Sequence, residues 1–151
     1  MGYSKLEIDA VGESLGLLES HFNKGNQLRR EGLYEEAIVE YDYAIEINPE
    51  DVEAHINKGA TLCILKRYKD ALKEFDKAIK LNPKHPEAYN NKGCALGDLG
   101  RYKEAIKEID FAIKLNPNNE RYLYNKNFII QLMNDLLPRL KSGVSAYRNA
   151  A

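Results

Sequence analysis

Along residues 18–119 the apolar and small positions recur at steps of three and four, the spacing that gathers side chains on one face of an α-helix. The whole arrangement returns every 34 residues: Gly25, Gly59 and Gly93 stand one period apart, and so do Tyr34, Tyr68 and Tyr102. Ala37, Ala71 and Ala105 keep the same interval, as do Asn48-Pro49, Asn82-Pro83 and Asn116-Pro117. A period of that length marks a solenoid of stacked units, each covering the apolar face of the next. In residues 18–51 the pattern predicts a first helix over about 19–31, with Gly25 turned to a partner helix and Gly32 as its stop. A second helix from about residue 33 carries Tyr34, Ala37, Tyr41 and Ala44 in one stripe, where the small alanines allow close approach. Asn48-Pro49 ends it, because a residue before proline is pushed out of the helical region. Residues 52–85 repeat the plan with Phe75 at the aromatic position and Lys66-Arg67, without glycine, at the turn. Residues 86–119 repeat it with Ile109, with Gly100 back in the turn, and with Pro86 at the first helical position, where a missing donor costs little.

Both ends lose the register. In residues 1–17, Ile8, Val11 and Leu15 lead at helical steps into Leu18 and predict a short amphipathic helix, either a cap on the stack or a docking arm. Gly12 and Gly16 weaken it by about 1 kcal/mol each. From residue 120, Tyr124-Asn125-Lys126 matches Phe22-Asn23-Lys24, but Asn127 stands where the glycine should be. Leu123, Ile130, Met133 and Leu137 predict the buried stripe of a degenerate fourth unit, a closing helix over 120–137 with Asn119 as its N-cap. Pro138 is expected to interrupt it, Ser142-Gly143 weigh against a further regular helix, and residues 138–151 read as a tail.

The run Gly25, Leu28, Tyr34, Ala37, Tyr41, Ala44 and Pro49, matched in the next two units, resembles the tetratricopeptide repeat, strongly over 18–119 and partially over 120–137. The resemblance implies an all-α fold, a right-handed superhelical solenoid of helix-turn-helix repeats with a C-terminal closing helix. Two positions depart from the family pattern. The bulky first-helix residue is His21, His55, Tyr89 and Leu123, and lysine (Lys24, Lys58, Lys92, Lys126) precedes the glycine position. The lysine row invites a phosphate or nucleic-acid reading, but stems lying on apolar surface with ammonium groups in water are the expectation.

The resemblance also implies that the first helices line an inner groove that binds a peptide or extended protein segment. Residues beside the packing face then become the candidate site. They are Phe22, Asn23, Asn26, Arg29 and Arg30 in the first unit, and Ile56, Asn57, Ala60 and Ile64 in the second. The third unit offers Asn90, Asn91 and Cys94, and the closing helix Tyr124, Asn125 and Phe128. The row Asn23, Asn57, Asn91, Asn125 could pair with a peptide's main chain whatever its sequence, since each amide both donates and accepts. The same amides could instead bond to the adjoining unit and hold the pitch. Phe22, Ile56, Ile64, Tyr124 and Phe128 would supply apolar pockets. Some family members grip a C-terminal carboxylate with lysine, asparagine and arginine at set positions. Here Asn26 and Asn57 match, but Phe22, Glu87 and Asn91 stand at the basic positions, so no such grip is expected.

Composition sharpens this in one place only. The chain carries 30% charged residues and a net charge of -1, yet residues 18–51 hold three basic against nine acidic side chains and residues 52–85 eight against four. An uneven solvated surface is the plain reading; steering of a partner, or pairing of two copies, is the sharper one. The last alternative extends to a self-assembling module, a homo-oligomer formed through exposed terminal helices. Catalysis is not expected, because His21 and His55 fall on the packing face and no nucleophile, base and acid share a convincing spacing. Cys63 and Cys94 lack zinc-site spacing and read as small fillers, so no metal or cofactor is predicted. Lys69, Lys73, Lys77 and Lys80 interleave with Asp70, Glu74 and Asp76, which favours a salt-bridged face over nucleic-acid binding. With no spanning segment or apolar leader, the expected location is cytoplasmic and no membrane partner is expected.

Overall fold

The computed structural model describes the backbone of residues 5–148 and the side chains of residues 12–136. Seven helices follow one another: α1 (Lys5–Glu31), α2 (Tyr34–Ile47), α3 (Val52–Ile64), α4 (Tyr68–Leu81), α5 (Pro86–Asp98), α6 (Tyr102–Leu115) and α7 (Glu120–Arg148). No strand occurs among the described residues. The first six helices pair as hairpins α1/α2, α3/α4 and α5/α6, and α7 packs on α6 and α5. Each even helix meets the odd helix of the next unit, α1 also touches α3, α3 touches α5 and α5 touches α7, whereas the even helices do not touch one another. The odd helices therefore crowd the inside of a curve and the even helices fan out behind it.

Each hairpin closes over its glycine. A Cβ on Gly25 would lie 2.7 Å from the Tyr41 ring, and one on Gly59 2.6 Å from the Phe75 ring. At Gly93 it would lie 2.5 Å from Ile109 and 2.9 Å from the Ala105 carbonyl oxygen. Tyr41, Phe75 and Ile109 are fully buried, as are the alanines on either side of them. Side-chain volume at one position is thus answered by its absence at another, which is how close packing is reached without voids. The turns share one geometry: Leu33 donates to the Leu28 carbonyl, Arg67 to Leu62 and Arg101 to Leu96, each at 2.9 Å. Gly32 (φ 84°) and Gly100 (φ 74°) supply the left-handed residue this turn demands, and Lys66 (φ 59°) is forced into it. At the other end Asp51 caps α3 by accepting from the Ala54 N–H at 3.1 Å.

The ends differ from the sequence expectation. Residues 5–17 are not a separate element but continue into the first unit as the front of the 27-residue α1. The closing helix does not stop at 137 but runs through Pro138 and Ser142-Gly143 to Arg148. Asn119 does accept from the Arg121 N–H at 3.1 Å, as an N-cap should. The buried stripe of α7 is also shifted from the expected one: Tyr122 and Ile129 are buried, Ile130 and Met133 are half-buried, Leu123 is 43% exposed, and the side chain of Leu137 lies outside the described residues. Leu123 occupies the position of His21, His55 and Tyr89, which face a second helix of their own unit. Among the described residues α7 packs on α5 and α6, so Tyr122 and Ile129, which face that unit, are the buried ones.

The lysine row differs too. Its ammonium groups are not simply in water: Lys58 bridges Asp42 (2.7 Å) of the unit before and Glu74 (3.1 Å) of its own. Lys92 likewise bridges Asp76 (2.9 Å) and Glu108 (3.1 Å), while Lys24 meets Glu40 and Lys126 meets Asp110. From Lys58 onward the row is a seam of ion pairs between units, while Lys24 pairs within its own unit.

Candidate functional site

The inward face is built from α1, α3, α5 and α7, and two kinds of residue share it. The first kind is engaged within the stack. Asn26 accepts from the Tyr41 hydroxyl at 2.8 Å and from the Asn57 amide at 3.2 Å, which ties α3 to α1. Asn125 donates to Asn90 at 2.9 Å, tying α7 to α5, and Asn90 in turn donates to Asn91 at 3.1 Å. So at Asn57 and Asn125 the amides join neighbouring units, and of the asparagine row Asn23 is the exposed member. It lies on a polar recess with Ser20, Asn26 and Arg30. Ile56, expected to offer a pocket, is 2% exposed and packs with Ala78 of its own unit and Ala88 of the next; it belongs to the core, because the following helix α5 closes over it. Phe22 is half-buried with its ring 6.2 Å from that of Tyr41, and Arg29 lies against the same tyrosine. Ala60 is half-buried and Ile64 is exposed.

The second kind gathers at one place. Between α5 and α7 lies a cleft of about 240 Å³ whose walls include Cys94, Gly97, Tyr124, Phe128, Ile129 and Leu132, with Asp98 at the rim. Tyr124 is 69% and Phe128 50% exposed, and their rings lie parallel with centroids 6.4 Å apart. Gly97 gives the cleft its depth, since a Cβ there would come within 3.0 Å of Ile129. Cys94, Tyr124, Asn125 and Phe128 were in the expected site; Gly97, Asp98, Ile129 and Leu132 were not chosen. The available signal was that Asp98 and Gly97 lie on the same helical face as Cys94.

Electrostatics separate engaged from available groups. Burial is the main force on the Cys94 thiol, raised to about 11, and on Cys63, raised to about 12, with the Asp98 charge adding to both. Both are neutral thiols with little nucleophilic character. His55 is buried and bonded on both sides, to Glu74 at 2.7 Å and to the Pro49 carbonyl oxygen at 3.1 Å; His21 meets Glu40 at 2.6 Å. Burial alone would raise the Glu74 carboxyl, but the His55 hydrogen bond and the Lys58 charge hold it down to about 2. These histidines are structural partners of carboxylates. At the family's basic grip positions, Glu87 is paired with Arg121 at 3.1 Å and Asn91 accepts from Asn90. Among the described residues no three His, Cys, Asp or Glu side chains are arranged to hold a metal ion, and no helix is long and apolar enough to cross a membrane.

A curved stack of helix hairpins with an inward face of odd-numbered helices defines an all-α helical-repeat solenoid. The chain belongs to the tetratricopeptide repeat family, whose models match in overlapping stretches: "TPR repeat" over residues 25–63, and "Tetratricopeptide repeat" over 52–85 and 74–107. No curated protein matches the sequence. Among solved structures, the chain is similar to the first TPR of Spaghetti (RPAP3) bound to HSP90 peptide SRMEEVD. The identity is 26%, the TM-score 0.74, and the match covers 78% of this chain and 93% of that one. The second TPR domain of human RPAP3 in complex with HSP70 peptide SGPTIEEVD is 25% identical at a TM-score of 0.73, covering 77% and 97%. The Arabidopsis OM64 TPR domain is 25% identical at 0.75, covering 78% and 98%.

Proposed function

We propose that this chain is a protein–protein interaction module that binds an extended peptide segment along its inward face, with the α5/α7 cleft as the main anchoring point. The observation that carries the reading is the pair of exposed, parallel rings of Tyr124 and Phe128 over an apolar cleft. Exposed aromatic surface beside a concavity is the usual anchor of a binding face. The similar domains of RPAP3 are seen in complex with HSP90 and HSP70 peptides, which supports peptide as the ligand class. Asn23, Arg30 and Ile64 extend the face towards α1 and α3, while the bonded asparagines act as its frame. Self-association, the alternative read from the sequence, gains no support from these relatives. The role is recognition without catalysis, and the two free thiols of Cys63 and Cys94 suit a reducing compartment such as the cytoplasm.

A peptide-display selection on the full chain, followed by amide shift mapping with the enriched peptides, tests this. Shifts concentrated on α3, α5 and α7, and binding weakened at least about tenfold by Tyr124→Ala/Phe128→Ala, are expected. Shifts confined to the even helices would sink the reading.

A further inference from the structure

At the edge of the α5/α7 cleft stands an exposed carboxylate, Asp98, that pairs with no side chain among the described residues. Asp98 is the last residue of α5, the end at which the helix dipole disfavours negative charge. Four cations of the third unit and α7 already have carboxylate partners. Arg121 holds Glu87 at 3.1 Å, Lys126 holds Asp110 at 2.7 Å, Lys92 lies between Asp76 and Glu108, and Arg101 holds Glu104 at 2.6 Å. The groups that feel the Asp98 charge are neutral: Cys63, Cys94 and Tyr68. Burial raises its carboxyl with no partner to pull it back. Beside it, the faces of Tyr124 and Phe128 carry the partial negative charge that attracts cations.

We propose that the cleft selects a peptide segment in which an apolar side chain lies next to a lysine or arginine. The apolar group enters between Gly97, Tyr124, Phe128 and Leu132, and the cation pairs with Asp98 beside the ring faces. This rests on the groove reading above and narrows it: the preferred ligand is basic at its anchor, opposite in charge to the acidic chaperone peptides of the similar domains. With Glu87 and Asn91 at the grip positions, the neighbouring surface also offers no anchor for an acidic tail.

The test compares random-peptide display pools selected on the full wild-type chain and on Asp98→Asn, with labelled members of each pool then titrated by fluorescence anisotropy. Among the described residues Asp98 makes no hydrogen bond or ion pair that Asp98→Asn would break, so an unchanged melting temperature serves as the folding control. Wild-type pools rich in an apolar residue flanked by Lys or Arg, with affinity falling about tenfold on Asp98→Asn, are the expected result. Asp98→Lys should move the preference to acidic flanks. Peptides that need Tyr124 and Phe128 but show no basic preference, or that bind Asp98→Asn equally well, would overturn this inference and leave the groove reading standing. Peptides indifferent to Tyr124→Ala/Phe128→Ala would remove both.

Discussion

The seam between units and the cleft between α5 and α7 are built by opposite rules. Along the seam the same residue types recur every 34 positions and nearly every charge has an answer: Lys58 and Lys92 each touch carboxylates of two units, and His55 is bonded on both sides. In the cleft the residues do not recur. The positions of Cys94 and Phe128 hold Asn26 and Ala60 elsewhere, and the position of Asp98 holds Arg30 and Ile64. What repeats holds the stack together, and much of what departs from the repeat, such as Asp98, Tyr124 and Phe128, is left exposed.

The strongest break of that contrast lies in the glycines. Gly93→Ala should cost about 3 kcal/mol in urea unfolding, because its methyl would meet a backbone oxygen that cannot move aside, outweighing the roughly 1 kcal/mol gain in helix propensity. Gly97→Ala, meeting only the tip of Ile129, should change stability by less than about 1 kcal/mol. Equal costs would show that seam and cleft are packed alike.

Next is Glu74→Gln, expected to lose about 2 kcal/mol at neutral pH by leaving Lys58 and His55 with a weakened partner. The folded carboxyl, at about 2, lies below its ordinary 4.5, so its contribution is complete above the ordinary value and drains as pH falls towards the folded one. The wild type should therefore lose stability between about pH 5 and 2 more steeply than Glu74→Gln. Parallel acid titrations of the two proteins would contradict the buried role of this pair. A smaller effect is expected for Lys126→Met, whose pair with Asp110 is more open to water: about 0.5 kcal/mol by thermal melting. Smallest of all, Tyr124→Ala should shift the melting temperature by no more than about 2 °C, since the ring is mostly exposed. A large destabilisation would make that ring structural.

Much of this was legible in the sequence because it depends on spacing along the chain. The hairpins, the glycine-on-aromatic contacts and the turn at Lys66 follow from positions three, four and 34 apart. The lysine seam was legible in principle, since acidic residues recur 16 positions before and after Lys58 and Lys92: Asp42 and Glu74, then Asp76 and Glu108. One residue type in a row does not reveal its acceptors unless the row of acids is read alongside it. The buried face of α7 was not legible, because it depends on how α7 leans on α5 and α6 and not on spacing along the chain. Nor was the run through Pro138, where local stop signals argued for an end that the helix does not observe. Ile56 and Tyr124 stand at equivalent positions, yet α5 closes over Ile56 while Tyr124 is 69% exposed, so one is core and the other surface.

The double-ended bridges of Lys58 and Lys92 make the curvature itself adjustable. Their inner halves are sheltered, with Glu74 only 8% exposed, while their outer carboxylates Asp42 and Asp76 are 53% and 61% exposed. Dissolved ions screen exposed charges far more than sheltered ones. Rising ionic strength should then leave each hairpin intact but slacken the tension between one hairpin and the next, as in a spring whose coils stay stiff while their spacing relaxes. Small-angle scattering across a salt series would record this as a growing radius of gyration at constant helix content, with the mouth of the groove opening in step.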